Sequence, residues 1–345
     1  MSWPVHWQQV TPLTRLARPL AALFGALGAR RRARQTAARQ GLPVPVIVVG
    51  NIVVGGSGKT PMIAWLAAHL RRRGLRPGII SRGHGGSRHG PHVLAPDDRS
   101  DSVGDEPLQL SRQTGLPVCI GRDRPAAARH LLARHPQINV LISDDGLQHY
   151  LLPRSIELCL FDGHVGVGNG ELLPAGPLRE PLQRLDGVDL VVCKGQAVAN
   201  LAPWKPVVMK LALGRPRPLP GSQAPTDREP IPAEQKEPAV ALCGIGQPES
   251  FFAMLRGQGW AIEPLVLPDH GTLHHRRIAA LAGRTVLMTT KDAVKLRGRT
   301  LPCAAYEVPL AVSFDARDRR RLDAALAPVY GRPPRDSETT VQPDP

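Results

Sequence analysis

The chain has 345 residues, enough for two domains with separate cores, and its 42% hydrophobic share is that of a folded protein, not a disordered one. Lys and Arg outnumber Asp and Glu by 44 to 29, a net charge of +15 that favours polyanions or acidic membrane surfaces as partners without choosing between them. The five cysteines stand singly, with no C-x-x-C pair and no Cys/His ligand spacing, which argues against a zinc site or a disulfide framework and for reduced, buried thiols in a cytosolic protein.

Residues 1–40 carry seven arginines (Arg15, Arg18, Arg30, Arg31, Arg32, Arg34, Arg39) and no acid. The apolar run between them, "PLAALFGALGA", is shorter than the ~20 residues a spanning helix needs. It runs into Arg30-Arg31-Arg32 where a signal peptide would have a small-residue cleavage site. With Trp3 and Trp7 ahead of it, this pattern predicts a helix lying in the headgroup region of an anionic membrane. The competing reading is a basic helix packed on its own domain.

Next comes strand–loop–helix alternation. "PVIVV" (45–49) precedes a glycine loop, and 59–74 has a helical pattern ending at Gly74. Strands are predicted at 78–81, 117–121, 138–143 and 156–162, with helix-like stretches between the first three. Short, uniformly apolar strands alternating with helices predict a parallel sheet covered on both faces, hence a doubly wound α/β domain over 41–186. A second, smaller α/β domain is predicted over 187–331, with strands at 187–193, 206–213, 239–246 and 284–290 and helices near 248–258 and 316–327. The Pro-rich stretch 214–238 reads as an exposed loop within it, and 332–345 as a disordered tail.

The loop after the first strand reads "GNIVVGGSGKTP". A phosphate cradle needs consecutive backbone N–H groups turned inward, and Gly55, Gly56, Ser57 and Gly58 form its permissive part. Lys59 then reaches the β/γ-phosphates, Thr60 offers a hydroxyl to Mg²⁺, and the helix that follows presents its positive end. The usual first glycine is replaced by Val53; the centre of the cradle is intact. A plain glycine turn before a helix is the alternative. A metal-associated acid belongs at the end of a neighbouring strand, where "INVLISDDGLQH" places Asp144 and Asp145, although an Asp-Asp-Gly turn would look the same. Asp105 and Glu106 in "SVGDEPLQL" begin a helix and serve as well as dipole-complementing acids. Asp269 and His270 in "LPDHGTL" read equally as a surface turn. The segment 166–181, "GVGNGELLPAGPLREP", holds Asn169, Glu171, Arg179 and Glu180 in a loop too ordered in composition for disorder.

These pieces, in this order, resemble the tetraacyldisaccharide 4′-kinases, the lipid A 4′-kinases of Gram-negative bacteria, from about Trp3 to about Ala327. The resemblance rests on "VGNIVVGGSGKTP", "SRGHGG", "GDEP", "GRDR", "DDGLQH", "GNGELLPAGPLREP", "CGIGQPESFF", "LPDH" and "TTKDAVK". It implies two α/β/α lobes of phosphate-loop type and ATP- and Mg²⁺-dependent phosphorylation of the 4′-hydroxyl of a lipid-linked disaccharide 1-phosphate, forming lipid IVA. It also implies peripheral association of the N-terminal helix with the anionic cytoplasmic face of the inner membrane. By motif, Lys59 and Thr60 serve the phosphates and metal, Asp144 and Asp145 fill the metal-associated position, and Asp105 is the base, paired with His270. Arg122, Asn169 and Arg179 become candidate substrate contacts. In this family the first glycine is commonly absent, so Val53 is ordinary; His84 stands where Tyr is usual, and Thr290 where Glu is.

Two other classes compete. A regulatory or metal-delivery GTPase would use the same loop, but Thr290-Lys291-Asp292 lacks the intervening residue of [NT]-K-x-D. A nucleic-acid-binding ATPase would explain the charge, yet the basic residues gather at an apolar N-terminus and no nucleic-acid module is present. Nothing in the sequence sets the oligomeric state.

Overall fold

The structure, a computed structural model, describes residues 3–225, 237–245, 248–268 and 275–331. Two helices, α1 (Val5–Gln8) and α2 (Pro12–Ala37), open the chain. After them come β1 (Val46–Gly50), α3 (Lys59–Arg72), β2 (Pro77–Ser81), β3 (His92–Val93), α4 (Ser100–Val103), α5 (Asp105–Thr114) and β4 (Val118–Ile120). The run continues through α6 (Arg124–Arg134), β5 (Val140–Asp144), β6 (Ile156–Asp162), β7 (Leu190–Lys194) and β8 (Val207–Leu213). Next are β9 (Arg217–Pro218), β10 (Ala239–Cys243), α7 (Pro248–Gly257), β11 (Ile262–Val266), α8 (His275–Ala279), β12 (Thr285–Thr289), α9 (Thr290–Leu296) and β13 (Ala304–Val308). β14 (Leu310–Ser313) and α10 (Ala316–Tyr330) complete the described chain.

The apolar strands need cover on both faces, and β1, β2, β5 and β6 are buried at every position. They lie in a nine-stranded sheet of order β14-β8-β7-β6-β1-β5-β2-β4-β3, parallel except for β14 and β3 at its two edges. On one face Met62, Ile63, Leu66 and Leu70 of α3 pack with Leu322, Leu326 and Val329 of α10; on the other lie Ala127, Ala128 and Leu131 of α6. The chain leaves β1 for β2 across β5 and later returns to β6 on the other side. The carboxyl end of β1 is therefore the point where the strand order diverges and a ligand crevice opens.

A second sheet, β11-β10-β12-β13-β9, is parallel apart from its edge strand β9 and carries its own cores. The sheets correct the expected boundary at 187. β7 and β8 pair with β6 in the first sheet, and β14 and α10 return to it from the C-terminal side, so the second lobe occupies about 217–308. Uniformly apolar strands carry no mark of which sheet they join. The reading of 214–238 as loop is corrected in part: Arg217–Pro218 pairs with Glu307 and Tyr306, and Leu219 is buried. The remainder of that stretch at 226–236 and the tail 332–345 lie outside the described residues. All five cysteines are free and buried.

α2 starts with Thr11, whose hydroxyl accepts from Thr14 N, and with Pro12 in the first turn. At about 100° per residue, Thr14, Arg18, Ala21 and Gly25 share one face. That face meets the body: Thr14 and Ala21 are buried, Arg18 pairs with Glu171 at 2.8 Å, and a Cβ on Gly25 would lie 2.7 Å from Leu172. The opposite face shows Leu13, Leu16, Leu20, Leu23 and Leu27 to solvent, each more than half exposed. Trp3 and Trp7, grouped with this apolar segment by the sequence pattern, do not join them. Trp3 donates to Val54 O at 3.2 Å and Trp7 to Pro174 O at 3.0 Å, which ties the N-terminal segment to the glycine loop and to 166–181.

Candidate active site

β1 delivers the chain to Asn51 and then to the glycine loop. Val53 is buried and bridges Leu178, and Val54 N donates to Pro177 O at 3.0 Å. The position where a glycine is usual is thus filled by a core side chain. Gly55 (φ 119°) and Gly58 (φ 83°) adopt angles that disfavour other residues. A Cβ on Gly58 would also press on the flexible side chains of Met209 (Cε at 2.9 Å) and Lys194 (Cδ at 3.1 Å), so the positive φ is the stronger constraint there. Ser57 Oγ is buried without a protein partner, a hydroxyl left for an acceptor within the loop. Lys59 and Thr60 are the first residues of α3, at its positive end.

β5 runs beside β1 with Asp144 in register with Val49, so the acids emerge next to the loop. Asp144 is buried and accepts from Ser81 Oγ at 2.8 Å. Burial, reinforced by the Glu106 carboxylate and opposed by Lys59, pushes its carboxyl up to about 6. Asp145 sits at φ 48° and lies 3.4 Å from both Lys59 Nζ and Arg179 Nη1. Burial alone would raise it; the two cations override this and hold it below the ordinary carboxylate value. Lys59, Asp145 and Arg179, drawn from three separate motifs, therefore meet.

Asp105 and Glu106 begin α5 after Gly104 (φ 92°). A Cβ on Gly104 would sit 2.4 Å from His84 O, and one on Gly86 2.5 Å from Ser102 O. The "SRGHGG" and "SVGDEP" loops lock backbone to backbone and so fix the start of α5. Lys295, on α9 of the second lobe and largely buried, reaches Asp105 Oδ2 at 4.0 Å and Asp292 Oδ1 at 3.7 Å. Asp292 accepts from Gly244 N at 2.9 Å and from Thr289 Oγ1 at 2.7 Å, while the Thr289 hydroxyl caps α9 by accepting from Asp292 N, so this acid ties the start of α9 to Gly244. Asp269 and His270 lie outside the described residues.

Of the remaining expected residues, Arg122 is exposed. Its neighbour Arg124 is buried and donates to Gly121 O at 3.0 Å and Asp144 O at 2.9 Å, shaping the turn that aims the acids. Asn169 has another task. Its amide donates to His6 O at 2.6 Å and Ala175 O at 2.9 Å and accepts from Glu171 N at 3.0 Å, clamping the N-terminal segment. Sequence reasoning also missed Lys194, paired with Asp162 at 2.6 Å beside the loop, and His149. Burial, then Arg124 and Arg82, pushes the His149 imidazole down to about 4, so it is neutral at pH 7. The available signal was position: Lys194 closes the apolar strand β7, and His149 lies in the turn after β5.

No three His, Cys, Asp or Glu side chains converge to hold a metal among the described residues. A Mg²⁺ bound largely by phosphates and water needs only one or two carboxylates and a hydroxyl, and Asp144 with Glu106 near it and Thr60 are hard oxygen donors of that kind.

Residues 13–328 match the family model described as tetraacyldisaccharide-1-P 4′-kinase. The chain is 47% identical over 333 residues to a tetraacyldisaccharide 4′-kinase of Alkalilimnicola ehrlichii, covering 95% of this chain and 97% of that one. It is 45% identical over 341 residues to one of Azoarcus sp., covering 96% of each. Among solved structures it resembles an LpxK from Aquifex aeolicus crystallised in complex with ATP, with a TM-score of 0.71 and 25% identity, covering 92% of this chain and 99% of that one.

Proposed function

The chain belongs to the tetraacyldisaccharide-1-P 4′-kinase family, and from that premise we propose that it transfers the γ-phosphate of ATP to the 4′-hydroxyl of a tetraacylated disaccharide 1-phosphate, forming lipid IVA. The observation that carries this reading is the joining of two features. A glycine loop ending in the Lys59–Asp145 pair is tied through Trp3 and Val54 to a helix whose outer face is leucine. A nucleotide site and an apolar surface in one rigid unit suit a phosphoryl acceptor that is a lipid.

In this reading the loop N–H groups, Ser57 Oγ and Lys59 hold the phosphates, and the N-terminal end of α3 adds its dipole. A sugar hydroxyl has a pKa far above neutrality, so a carboxylate must accept its proton as the oxygen attacks. Asp105 is that acceptor, and His270 of the second lobe is its partner from the family resemblance. Lys295 reaches Asp105 from the second lobe and acts as a positioning residue, tying the base to Asp292 and the "CGIG" loop. Arg179, placed against Asp145, and exposed Arg122 are the basic groups for the transferred phosphate and the substrate. Asp144 and Thr60, with Glu106 near Asp144, would hold Mg²⁺, while the other expected acid, Asp145, is paired with Lys59 and Arg179; the metal would supply charge neutralisation to the transferring phosphoryl group.

No described helix is long and apolar enough to cross a membrane. The outward leucines of α2, flanked by arginines, support peripheral association with the anionic cytoplasmic face of the inner membrane. The GTPase alternative fails on family membership and also on geometry, because Asp292, which would have to read guanine, is spent on Gly244 and Thr289. The test is transfer of labelled γ-phosphate from ATP to tetraacyldisaccharide 1-phosphate in detergent micelles with Mg²⁺. A labelled lipid is expected; folded protein that makes none contradicts the proposal.

A further inference from the structure

A polar cavity of about 290 Å³ lies at the opposite end of the first sheet from the phosphate loop. Ile156, the first residue of β6, lines it, and the five residues of β1 put roughly 16 Å between the two sites. That volume holds several waters, space for a phosphate with a substituent. Its roof is the C-terminal end of α2 with the residues just beyond it, contributing Arg32 and Arg39; its floor is Arg154 and Arg184 around Tyr150.

The charges do not balance. Arg154 and Arg184 share Glu157, whose oxygens they reach at 2.5–2.6 Å, and Glu180 adds a carboxylate 3.6 Å from Arg184 Nε; with Asp189 that sets three acids against the four arginines Arg32, Arg39, Arg154 and Arg184. Asp189 accepts from Glu157 N at 2.7 Å. Arg32 stacks over the Tyr150 ring at 5.4 Å, where Arg154 already lies at 4.9 Å and Arg184 at 5.7 Å. Arg39 spends only Nε, on Tyr150 O at 3.0 Å. Neither Arg32 nor Arg39 has a carboxylate partner among the described residues. Burial lowers the Arg39 guanidinium most, with the Arg154 charge adding to it and Glu157 opposing it. Two guanidinium forks over a cavity lined by more arginines than acids are suited to an oxyanion that accepts several hydrogen bonds.

We propose that this cavity is a phosphate site, filled by the phosphodiester of an anionic glycerophospholipid headgroup or by free phosphate. The headgroup source rests on the membrane reading of α2; the phosphate chemistry does not. α2 is about 10–12 Å across with its side chains, and its leucine face points away from the cavity. With that face at the hydrocarbon boundary, the cavity lies at or just below the headgroup layer, ~5–8 Å deep.

The test uses the full chain with ADP saturating the phosphate loop. Arg32→Gln/Arg39→Gln is compared with a charge-matched control, Arg30→Gln/Arg34→Gln, which removes the same charge elsewhere on α2. In one arm the thermal midpoint is followed against inorganic phosphate, with ionic strength held by chloride. In the other, co-sedimentation is measured with vesicles of phosphatidylcholine containing 30 mol% phosphatidylglycerol. The wild type and the control are expected to gain a saturable few degrees from phosphate, and the cavity variant none. On vesicles the cavity variant should lose about tenfold in partitioning, and the control about threefold or less. Loss in the vesicle arm alone assigns the headgroup source, and loss in the phosphate arm alone assigns free phosphate. Should even the wild type ignore vesicles while the phosphate arm still discriminates, the membrane reading fails and the site stands. Cavity and control variants that behave alike in both arms overturn the proposal. Arg32 is exposed, so Arg32→Gln alone repeats the comparison without risk to folding.

Discussion

Replacing Leu16 and Leu20 with glutamine removes two of the side chains that α2 turns outward, 77% and 61% exposed respectively. Glutamine keeps the helix, because its propensity is close to that of leucine. Full burial of a leucine is worth about 2 kcal/mol; scaled by those exposures, the pair contributes roughly 2.8 kcal/mol if the membrane covers them completely. That corresponds to about 100-fold in partitioning as an upper limit, and about tenfold if the helix sits only half-immersed. The assay is flotation with vesicles of mixed zwitterionic and anionic lipid, read as the bound fraction against lipid concentration. Because both positions are exposed, the unfolding free energy in the absence of lipid should stay within about 0.5 kcal/mol of wild type. A variant that is equally stable and floats as well as the parent refutes the claim that this face meets the bilayer.

Asp144→Asn tests the buried acid. Its folded pKa, about 6, lies above the unfolded value, so the native state keeps a proton between about pH 4 and 6 that the unfolded chain releases. Stability from this group falls as pH rises through that window, and the loss is complete above it. The asparagine variant should therefore be more stable than wild type at pH 8 in EDTA, by about 1–3 kcal/mol, and equal to it near pH 4, measured by urea unfolding. Lys295→Met should lower kcat about tenfold with KM for ATP within twofold, and Lys295→Arg should recover part of it; a parallel loss in both parameters would assign Lys295 to stability alone. Asn169→Ala deletes the bonds to His6 O and Ala175 O. It should cost about 1–3 kcal/mol and speed proteolysis within residues 1–40, seen as earlier loss of the N-terminal fragment.

Much of the crevice was legible because phosphate chemistry constrains backbone and side chain together. The glycine loop, Lys59 and the acids after β5 follow from an apolar strand ending in residues that fit one ligand. Val53 shows the limit: the sequence marks a missing glycine, and only the bridge to Leu178 explains the valine. Arg122 and Arg124 are two residues apart and chemically alike, yet one is exposed and the other buried against Asp144 O; which one turns inward is decided by the start of α6. Lys295 was hidden for a different reason. Its partner lies 190 residues earlier in the other lobe, and no local pattern records a contact between lobes. The misplaced boundary at 187 has the same origin, since strand pairing between β6, β7 and β8 leaves no trace in their apolar runs.

The central claim, that Asp105 takes the proton at a site where ATP is held by the glycine loop, is tested most directly by Asp105→Ala. Single-turnover transfer of γ-phosphate to tetraacyldisaccharide 1-phosphate should fall by a factor of about 10²–10⁴ while the Kd for ATP stays within a few-fold of wild type. Near-normal transfer in that variant contradicts the account.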